Sequence, residues 1–323
     1  MPTFTYSNPS VIHWGAGSAE KLLELEGKTV VVVTTRSLRG SVDRLPIRPA
    51  CTVVIGQHAP QADIDEAVRL IDGRADWLVS FGGGSPIDAA KIIALRLDAV
   101  PHTAVPTTLS VAELGVGAGF TNEHGDKAGV RNPRLRVTSV IYDAELTVMT
   151  PMELWLSTGI RALDHAVEGF LAEGEHPFND VMALESIRRL FDSLPKAKAS
   201  PRDVSVRTAN QLAAWFSFTL PAESAGGLSH TMGKQIGARH GIPHGVTSCL
   251  LLPHVMRYLA TRIPERTALL PSADDVYGFI GSLGLPQHIA AFGIAEPELR
   301  RAAQELAGKF SAEDLLKIYV AAL

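Results

Sequence analysis

Three consecutive glycines and a serine, at positions 82–85, are the first residues whose types and spacing favour chemistry. They stand between an apolar run, residues 76–81, and a helical pattern that begins at Pro86. Glycines let the backbone approach a ligand closely, and a helix start offers unpaired N–H groups and the positive end of its dipole. The pattern favours a site for the pyrophosphate of a dinucleotide, with a tight strand-to-helix turn as the plainer alternative.

A second motif, PTT at positions 106–108, closes a predicted strand at its carboxyl end. Ligands bind at that edge of parallel sheets, where hydroxyl groups can bond a phosphate or a ribose. The spaced glycines within residues 15–22 precede the first strong strand instead of following one. We therefore interpret that earlier segment as structural.

Ionisable side chains recur in the second half of the chain. Arg161 and His165 are four residues apart and share one helical face, and His230 and Lys234 repeat that spacing. His244 follows His230 within the same segment, residues 229–245. A single histidine in a helix is more often structural than a ligand. Three of them, each beside a glycine or another ionisable group, favour a site, although spacing alone does not bring them together.

The elements that must position these residues change character at Thr150. Before it, apolar strands alternate with helical patterns, as in a parallel α/β sheet; the predicted strands are residues 28–34, 50–56, 76–81, 102–108 and 138–143. The segment TPME (150–153) predicts a capping box with Thr150 as N-cap. Beyond it the predicted helices are residues 152–172, 179–194, 204–218 and 248–260. The sequence thus predicts two domains: an α/β dinucleotide-binding domain over residues 1–150, and an all-helical substrate and catalytic domain over residues 151–323.

Composition excludes several classes of protein. The chain has 323 residues, 46% of them hydrophobic, and 30 basic against 34 acidic side chains, so it is neither disordered nor fibrous, and no charged run favours nucleic acid or an anionic membrane. Two cysteines do not make a disulfide framework. The first ten residues lack the features of a signal peptide, and no apolar run reaches the roughly 18 residues of a membrane span. We expect a soluble, cytoplasmic protein of two domains.

The string GGGSPIDAAK (82–91) resembles the GGGSxxDxAK signature of the iron-containing alcohol dehydrogenase superfamily. Further strings match in order: PTT followed by Glu113, GDKAGV (125–130), IYDAELT (141–147), TGIRALDHAVE (158–168) and GIPHGVTSCLLLPH (241–254). The resemblance implies the dehydroquinate synthase-like, or group III alcohol dehydrogenase, architecture. That fold combines an N-terminal dinucleotide-binding α/β domain with an all-helical C-terminal domain, and its active site lies in the cleft between them. Homodimers are common among its members, so a homodimer is expected.

The resemblance also implies which residues bind the cofactor: Gly82, Gly83, Gly84, Ser85, Asp88, Thr107, Thr108, Lys127 and Leu146. NAD-preferring members carry an aspartate after the first strand, where this chain has Thr35 followed by Arg36. A carboxylate there bonds the ribose diol, whereas an arginine can accept a 2′-phosphate. The expected cofactor is therefore NADPH or NADH.

The ionisable residues depart from the family pattern. Metal-dependent members hold iron or zinc with one aspartate and three histidines; His165, His230 and His244 fall on the histidine positions, but Arg161 replaces the aspartate. A guanidinium cannot ligate a metal and repels a cation nearby. Lys234 stands where the family commonly has a histidine. A buried lysine beside Arg161 could donate a proton to a forming alkoxide; the alternative is a surface lysine that points outward from its helix.

These departures resemble the metal-independent branch best known from the maleylacetate reductases. We therefore predict hydride transfer from NAD(P)H to a carbonyl or conjugated alkene of a small, carboxylated substrate, without a metal. Arg161 would clamp the carboxylate or stabilise the oxyanion, His165 would serve as a hydrogen-bond donor, and His230, His244 or Lys234 would supply the proton.

Other functions stay open at this point. Three histidines can bind zinc unaided, so a metal-dependent alcohol dehydrogenase for neutral alcohols, with His165, His230 and His244 as ligands, is the first alternative. A dehydroquinate-synthase-like cyclase needs a metal and more basic substrate ligands. A non-catalytic nucleotide-binding protein is a third alternative, which the intact glycine turn and the histidines disfavour.

Overall fold

The computed structural model describes residues 8–174, 176–218 and 227–323. Its contacts group into two units, each of which is compact by itself. Of the described residues, the α/β unit contains 8–150 and 200–215, and the helical unit contains 151–174, 176–199, 216–218 and 227–323.

A six-stranded parallel sheet forms the centre of the α/β unit, in the order β1-β8-β5-β4-β2-β3. Its strands are β1 (Val11–Trp14), β2 (Val30–Thr35), β3 (Cys51–Ile55), β4 (Trp77–Gly82), β5 (His102–Pro106) and β8 (Ser139–Tyr142). An antiparallel hairpin of β6 (Gly117–Thr121) and β7 (Lys127–Arg131) accompanies it, with helices α1 (Gln61–Ile71) and α2 (Gly84–Arg96). This arrangement confirms the predicted fold class.

The strand β2 shows why its sequence is a continuous apolar run. Val31 and Val33 point into a core that includes residues of α1 and α2, whereas Val30 and Val32 point into a second core on the opposite face. Successive side chains of a strand alternate between faces, so a strand covered on both sides needs apolar residues at every position.

The order of the strands also fixes where a ligand can bind. From β2 the chain continues to β3 on one side, and from β4 it continues to β5 on the other. Such a reversal opens a crevice outside the carboxyl ends of the two neighbouring strands, which is where open α/β sheets bind their ligands. Thr35 closes β2 and Gly82 closes β4, so the sequence motifs that follow both strands lie at this point.

The helical unit consists largely of α3 (Met152–Phe170), α4 (Pro177–Ala199), α6 (Leu228–His240), α7 (His244–Ala260), α8 (Pro264–Thr267), α9 (Ala273–Ser282), α10 (Glu296–Leu306) and α11 (Ala312–Ala321); the helix between α4 and α6 is α5 (Val204–Ser217). None of the helices in the part of the chain that the structure describes is long and apolar enough to cross a membrane.

The start of α3 differs from the prediction. The helix begins at Met152, Pro151 is its N-cap, and no side chain caps it. The hydroxyl of Thr150 instead donates to the carbonyl oxygen of Thr107 at 2.8 Å. The predicted capping box is therefore wrong, because a buried backbone acceptor engages the hydroxyl that was expected to cap the helix.

Residues 200–215, which the sequence placed in the helical domain, group with the α/β unit. Arg207 connects this segment to the α/β unit, because its buried guanidinium donates to the carbonyl oxygens of Thr147 and Thr150 as well as to that of Pro201. The division of the chain into two domains at residue 150 stays a prediction.

A buried lysine holds the segment between β5 and β6. Lys91 is 1% exposed, and its ammonium donates to the carbonyl oxygens of Ala112, Gly115 (2.7 Å) and Gly117 (3.0 Å). A buried ammonium is stable only when its three hydrogens are all bonded. Lys91 therefore orders the residues that follow the PTT motif.

A buried carboxyl group lies within the same segment. Glu113 is 1% exposed and accepts a hydrogen bond from the Tyr142 hydroxyl at 2.8 Å, while its other oxygen has no partner among the described residues. Burial raises the pKa of Glu113 to about 7, although the Tyr142 hydrogen bond and the charge of Lys91 act in the opposite direction.

This shift predicts a pH-dependent stability that Glu113→Gln should abolish. The pKa of Glu113 in the folded chain lies above its ordinary 4.5, so its contribution to the free energy of unfolding is complete below that value and is lost as the pH rises through about 7. Between about pH 5 and about pH 8 the wild type should lose about 2 to 3 kcal/mol relative to the variant. Denaturant unfolding of both proteins across this range measures the difference, and a difference that does not change with pH contradicts the prediction.

Candidate functional site

The glycine turn after β4 has an open helix start. Gly82 has a φ of +147°, and Gly83 is the N-cap of α2 without any side-chain hydrogen bond to the first turn. The first amides of α2 therefore remain available to an anion, at the positive end of the helix dipole. A Cβ at Gly83 would lie 2.9 Å from Cγ2 of Thr108, so the turn also requires glycine for packing.

The two threonines of the PTT motif lie directly against this turn. The backbone N–H of Thr107 donates to the carbonyl oxygen of Gly82 at 2.9 Å, and the Thr108 hydroxyl donates to Oγ of Ser110 at 3.2 Å. Both threonines are buried, with 2% and 6% of their surface exposed. The structure thus brings the glycine turn and the threonines together.

The end of β2 presents the remaining predicted cofactor residues. Oγ1 of Thr35 lies 3.0 Å from Oγ of Ser37, and Arg36 is exposed. Both residues lie at the point where the strand order reverses, as Gly82 does.

Asp88, Lys127 and Leu146 lie in different surroundings. Asp88 on α2 accepts from the N–H of Gly119 at 3.0 Å, and burial raises its pKa to about 6. Lys127 is half-buried on β7, where it donates to Oγ1 of Thr121 at 3.2 Å. Leu146 is 5% exposed and packs in the core under the sheet.

His58 lies near the glycine turn, although the sequence did not predict it as a site residue. It follows β3 with a φ of +65°, and its N–H donates to Oγ of Ser85 at 2.9 Å. Burial and the charge of Lys127 lower the pKa of His58, so it sits as a neutral imidazole near the glycine turn. Its unusual φ is a property of the backbone that no residue pattern indicated.

In the helical unit, Asp164 is the centre of a buried polar cluster. Its Oδ2 accepts from Arg161 at 2.9 Å, Ser248 at 2.6 Å and Ser229 at 3.1 Å. Arg161 donates from the same nitrogen to Ser248 at 3.1 Å. Asp164 is fully buried and Arg161 is 6% exposed. The charges compensate each other, and two hydroxyls donate to Oδ2, whereas Oδ1 of Asp164 is buried without a partner among the described residues.

Ser229 and Ser248 were not predicted as site residues. Each stands near a predicted histidine, Ser229 directly before His230 and Ser248 four residues after His244. The signal that could have indicated these serines is Asp164, because a carboxylate on an apolar helix face needs hydrogen-bond donors from neighbouring helices.

The three predicted histidines form one group. The ring centroids of His165 and His230 are 6.0 Å apart, and those of His230 and His244 are 6.2 Å apart with nearly parallel rings. The ring of Phe218 meets His165 edge-on at 5.1 Å. Nδ1 of His230 is buried without a partner among the described residues. The three histidines therefore lie close together in the fold, which their spacing in the sequence could not establish.

The electrostatic field of this group is positive. Burial, the charge of Arg161 and then that of His244 hold the pKa of His165 well below its ordinary range. His165 is therefore neutral, with one N–H to donate. Burial also raises the pKa of Asp164, but the charge of Arg161 and the hydrogen bonds from Ser248 and Ser229 oppose that effect.

Of the two positions that the sequence left open for Lys234, buried or on the surface, the structure shows the one on the surface. Met232 and Ile236 form the buried stripe of α6, and Lys234, two residues from each, lies on the exposed side. Its role as a proton donor stays a prediction.

One of the four ligands that the family resemblance expects for a metal is missing from this site. Where the resemblance expects the aspartate ligand, the cationic Arg161 stands, and Oδ2 of Asp164 is already engaged by three donors. Over residues 8–174, 176–218 and 227–323, no group of three or more His, Cys, Asp or Glu side chains is arranged to hold a metal.

Two family models match the chain. Residues 9–144 match that of the iron-containing alcohol dehydrogenases, and residues 155–314 match that of the C-terminal part of the same family. The maleylacetate reductase of Rhizobium sp. (strain MTP-10005) is 31% identical over 316 residues, which cover 93% of this chain and 90% of that protein.

Solved structures give the same result. The crystal structure of maleylacetate reductase from Agrobacterium tumefaciens matches 100% of this chain and 99% of its own, at 28% identity and a TM-score of 0.90. An iron-containing alcohol dehydrogenase from Corynebacterium glutamicum matches 100% and 97%, at 26% identity and a TM-score of 0.91. By sequence and by fold, the chain belongs to the iron-containing alcohol dehydrogenase family and is an NAD(P)-dependent oxidoreductase.

Proposed function

We propose that the chain transfers hydride from NAD(P)H to a carbonyl carbon or a conjugated alkene of a small carboxylated substrate, without a metal. The substrate receives the hydride and one proton, and NAD(P)⁺ is released. We also propose that the protein works as a homodimer in the cytoplasm and has no nucleic-acid or membrane partner. Conjugated alkenes are included because the relatives of this chain include maleylacetate reductases.

The ion pair of Arg161 with Asp164 is the observation that carries this proposal. One guanidinium nitrogen is bonded to Asp164 and Ser248, while Nε and the second terminal nitrogen have no hydrogen-bond partner among the described residues. The side chain keeps 7% of its surface exposed. A guanidinium that is fixed through one terminal nitrogen can bind a carboxylate or a developing oxyanion with the N–H groups of its other two nitrogens.

The histidines supply the proton chemistry in this proposal. As the hydride adds to the substrate carbon, an electron pair moves onto oxygen and forms an alkoxide or an enolate. Neutral His165 donates a hydrogen bond to that oxygen, and His230, His244 or Lys234 delivers the proton. The cofactor is held by Gly82, Gly83, Gly84, Ser85 and Asp88, with Thr107, Thr108, Lys127 and Leu146 lining its site and Thr35 and Arg36 at the adenosine end.

Arg161→Ala should raise the KM for a carboxylated ketone or enone about 10- to 100-fold, because a charge-assisted hydrogen-bond pair to the substrate is lost. The KM for a neutral aldehyde should change much less. Arg161→Lys keeps the charge without the planar fork and should fall between the two. Steady-state kinetics on both substrates give the comparison, with NAD(P)H affinity as a check on folding; equal increases for both substrates contradict the carboxylate clamp.

Arg36→Asp should change the preference between the cofactors. If Arg36 binds a 2′-phosphate, the carboxylate repels that group and can bond the ribose diol instead, so the ratio of kcat/KM for NADH over NADPH should rise about 10- to 100-fold. Arg39→Asp is the matched control, since Arg39 is an exposed arginine three residues further on. An equal rise in both variants shows only a general charge effect and contradicts the assignment to Arg36.

A further inference from the structure

Glu168 is a buried carboxyl group for which the proposed mechanism has no use. It lies on α3 one turn after Asp164 and is 8% exposed. Its two oxygens accept from backbone amides at the start of α6: Oε2 from Gly227 at 3.2 Å and Oε1 from His230 at 3.1 Å. The carboxyl group therefore contacts the helix that carries His230.

The start of α6 lacks a cap of its own. Gly227 is the N-cap residue and has no side chain that could accept from the first turn. The first amides of a helix need acceptors, and a carboxyl group there also meets the positive end of the helix dipole. Glu168 provides from α3 what Ser, Thr, Asp or Asn usually provide from the N-cap position.

The residue at 227 fits this role closely. A Cβ built at Gly227 would lie 2.4 Å from Cδ and 2.5 Å from Oε1 of Glu168. Any other residue would displace the carboxyl group from the amides. The first turn of α6 is thus bound twice by α3, through Glu168 at its backbone and through Asp164 at the Ser229 hydroxyl.

We propose that Glu168 is the positioning residue for His230: by capping α6 from α3, it fixes the His230 imidazole relative to Arg161 and Asp164. This rests on the proposed role of His230 in proton delivery. Glu168 itself contacts neither substrate nor cofactor in this assignment.

Glu168→Ala should lower kcat about tenfold while the KM for the substrate and the Kd for NAD(P)H change less than about threefold, because the cap and not the binding groups is lost. Hydrogen exchange of the amides at 227–231 should become faster. Glu305→Ala is the matched control, because Glu305 accepts from Gln235 and Arg239 on the later part of the same helix. That variant should keep kcat and leave the exchange at 227–231 unchanged.

Gly227→Ala tests the proposal even if Glu168→Ala does not fold. It should reduce kcat as Glu168→Ala does, and the double variant should be no worse than the worse single, because the added Cβ then has no carboxyl group to displace. Multiplicative losses in the double variant, or an unchanged kcat in either single variant, overturn the proposal. The exchange measurement needs no substrate, so it separates a failed cap from a failed assignment of the reaction.

Discussion

The buried ion pair between Arg161 and Asp164 is the interaction on which the rest of the helical unit depends. Two charges withdrawn from water must compensate each other, and hydrogen bonds from neighbouring groups add to their stability. Here Ser229 on α6 and Ser248 on α7 both donate to Oδ2 of Asp164. One carboxylate on α3 therefore binds two further helices, and those helices carry His230 and His244.

Periodicity explains why a single helix can do this. Positions 164 and 165 follow position 161 by three and four residues, and position 168 follows them by four and three, so these side chains share one side of α3. That side combines a cation, two carboxyl groups and an imidazole whose pKa is lowered by burial and by the charge of Arg161. The polar cluster explains why α3 is buried along most of its length although five of its residues are ionisable.

Much of the fold followed from local pattern. The apolar runs at β2 and β4 predicted the parallel sheet, and the glycine turn at 82–85 predicted an open helix start, because each depends on residues adjacent in the chain. The strand order, the β6–β7 hairpin and the contacts of Arg207 depend on residues far apart, and the sequence carries no local signal for them. Lys234 shows the same limit, since its side of α6 depends on which residues the helix buries.

The site was predicted in part for the same reason. Spacing placed Arg161 on the face of His165, and the structure pairs Arg161 with Asp164, three residues further along the same helix. It could not indicate Ser248, Glu168 or His58, whose roles arise from hydrogen bonds across 87, 62 and 27 positions of the chain. Single residues of ordinary type become part of a site only when the fold brings a partner to them.

We propose that this ion pair takes the place of the metal site that the family resemblance implies, and the metal content of active enzyme tests that claim most directly. Protein purified without added metal or chelator should contain less than about a tenth of an equivalent of iron or zinc, and its turnover should survive a chelator. Near-stoichiometric iron or zinc, with activity that is lost on chelation and restored by the metal, would contradict the claim and assign His165, His230 and His244 as ligands.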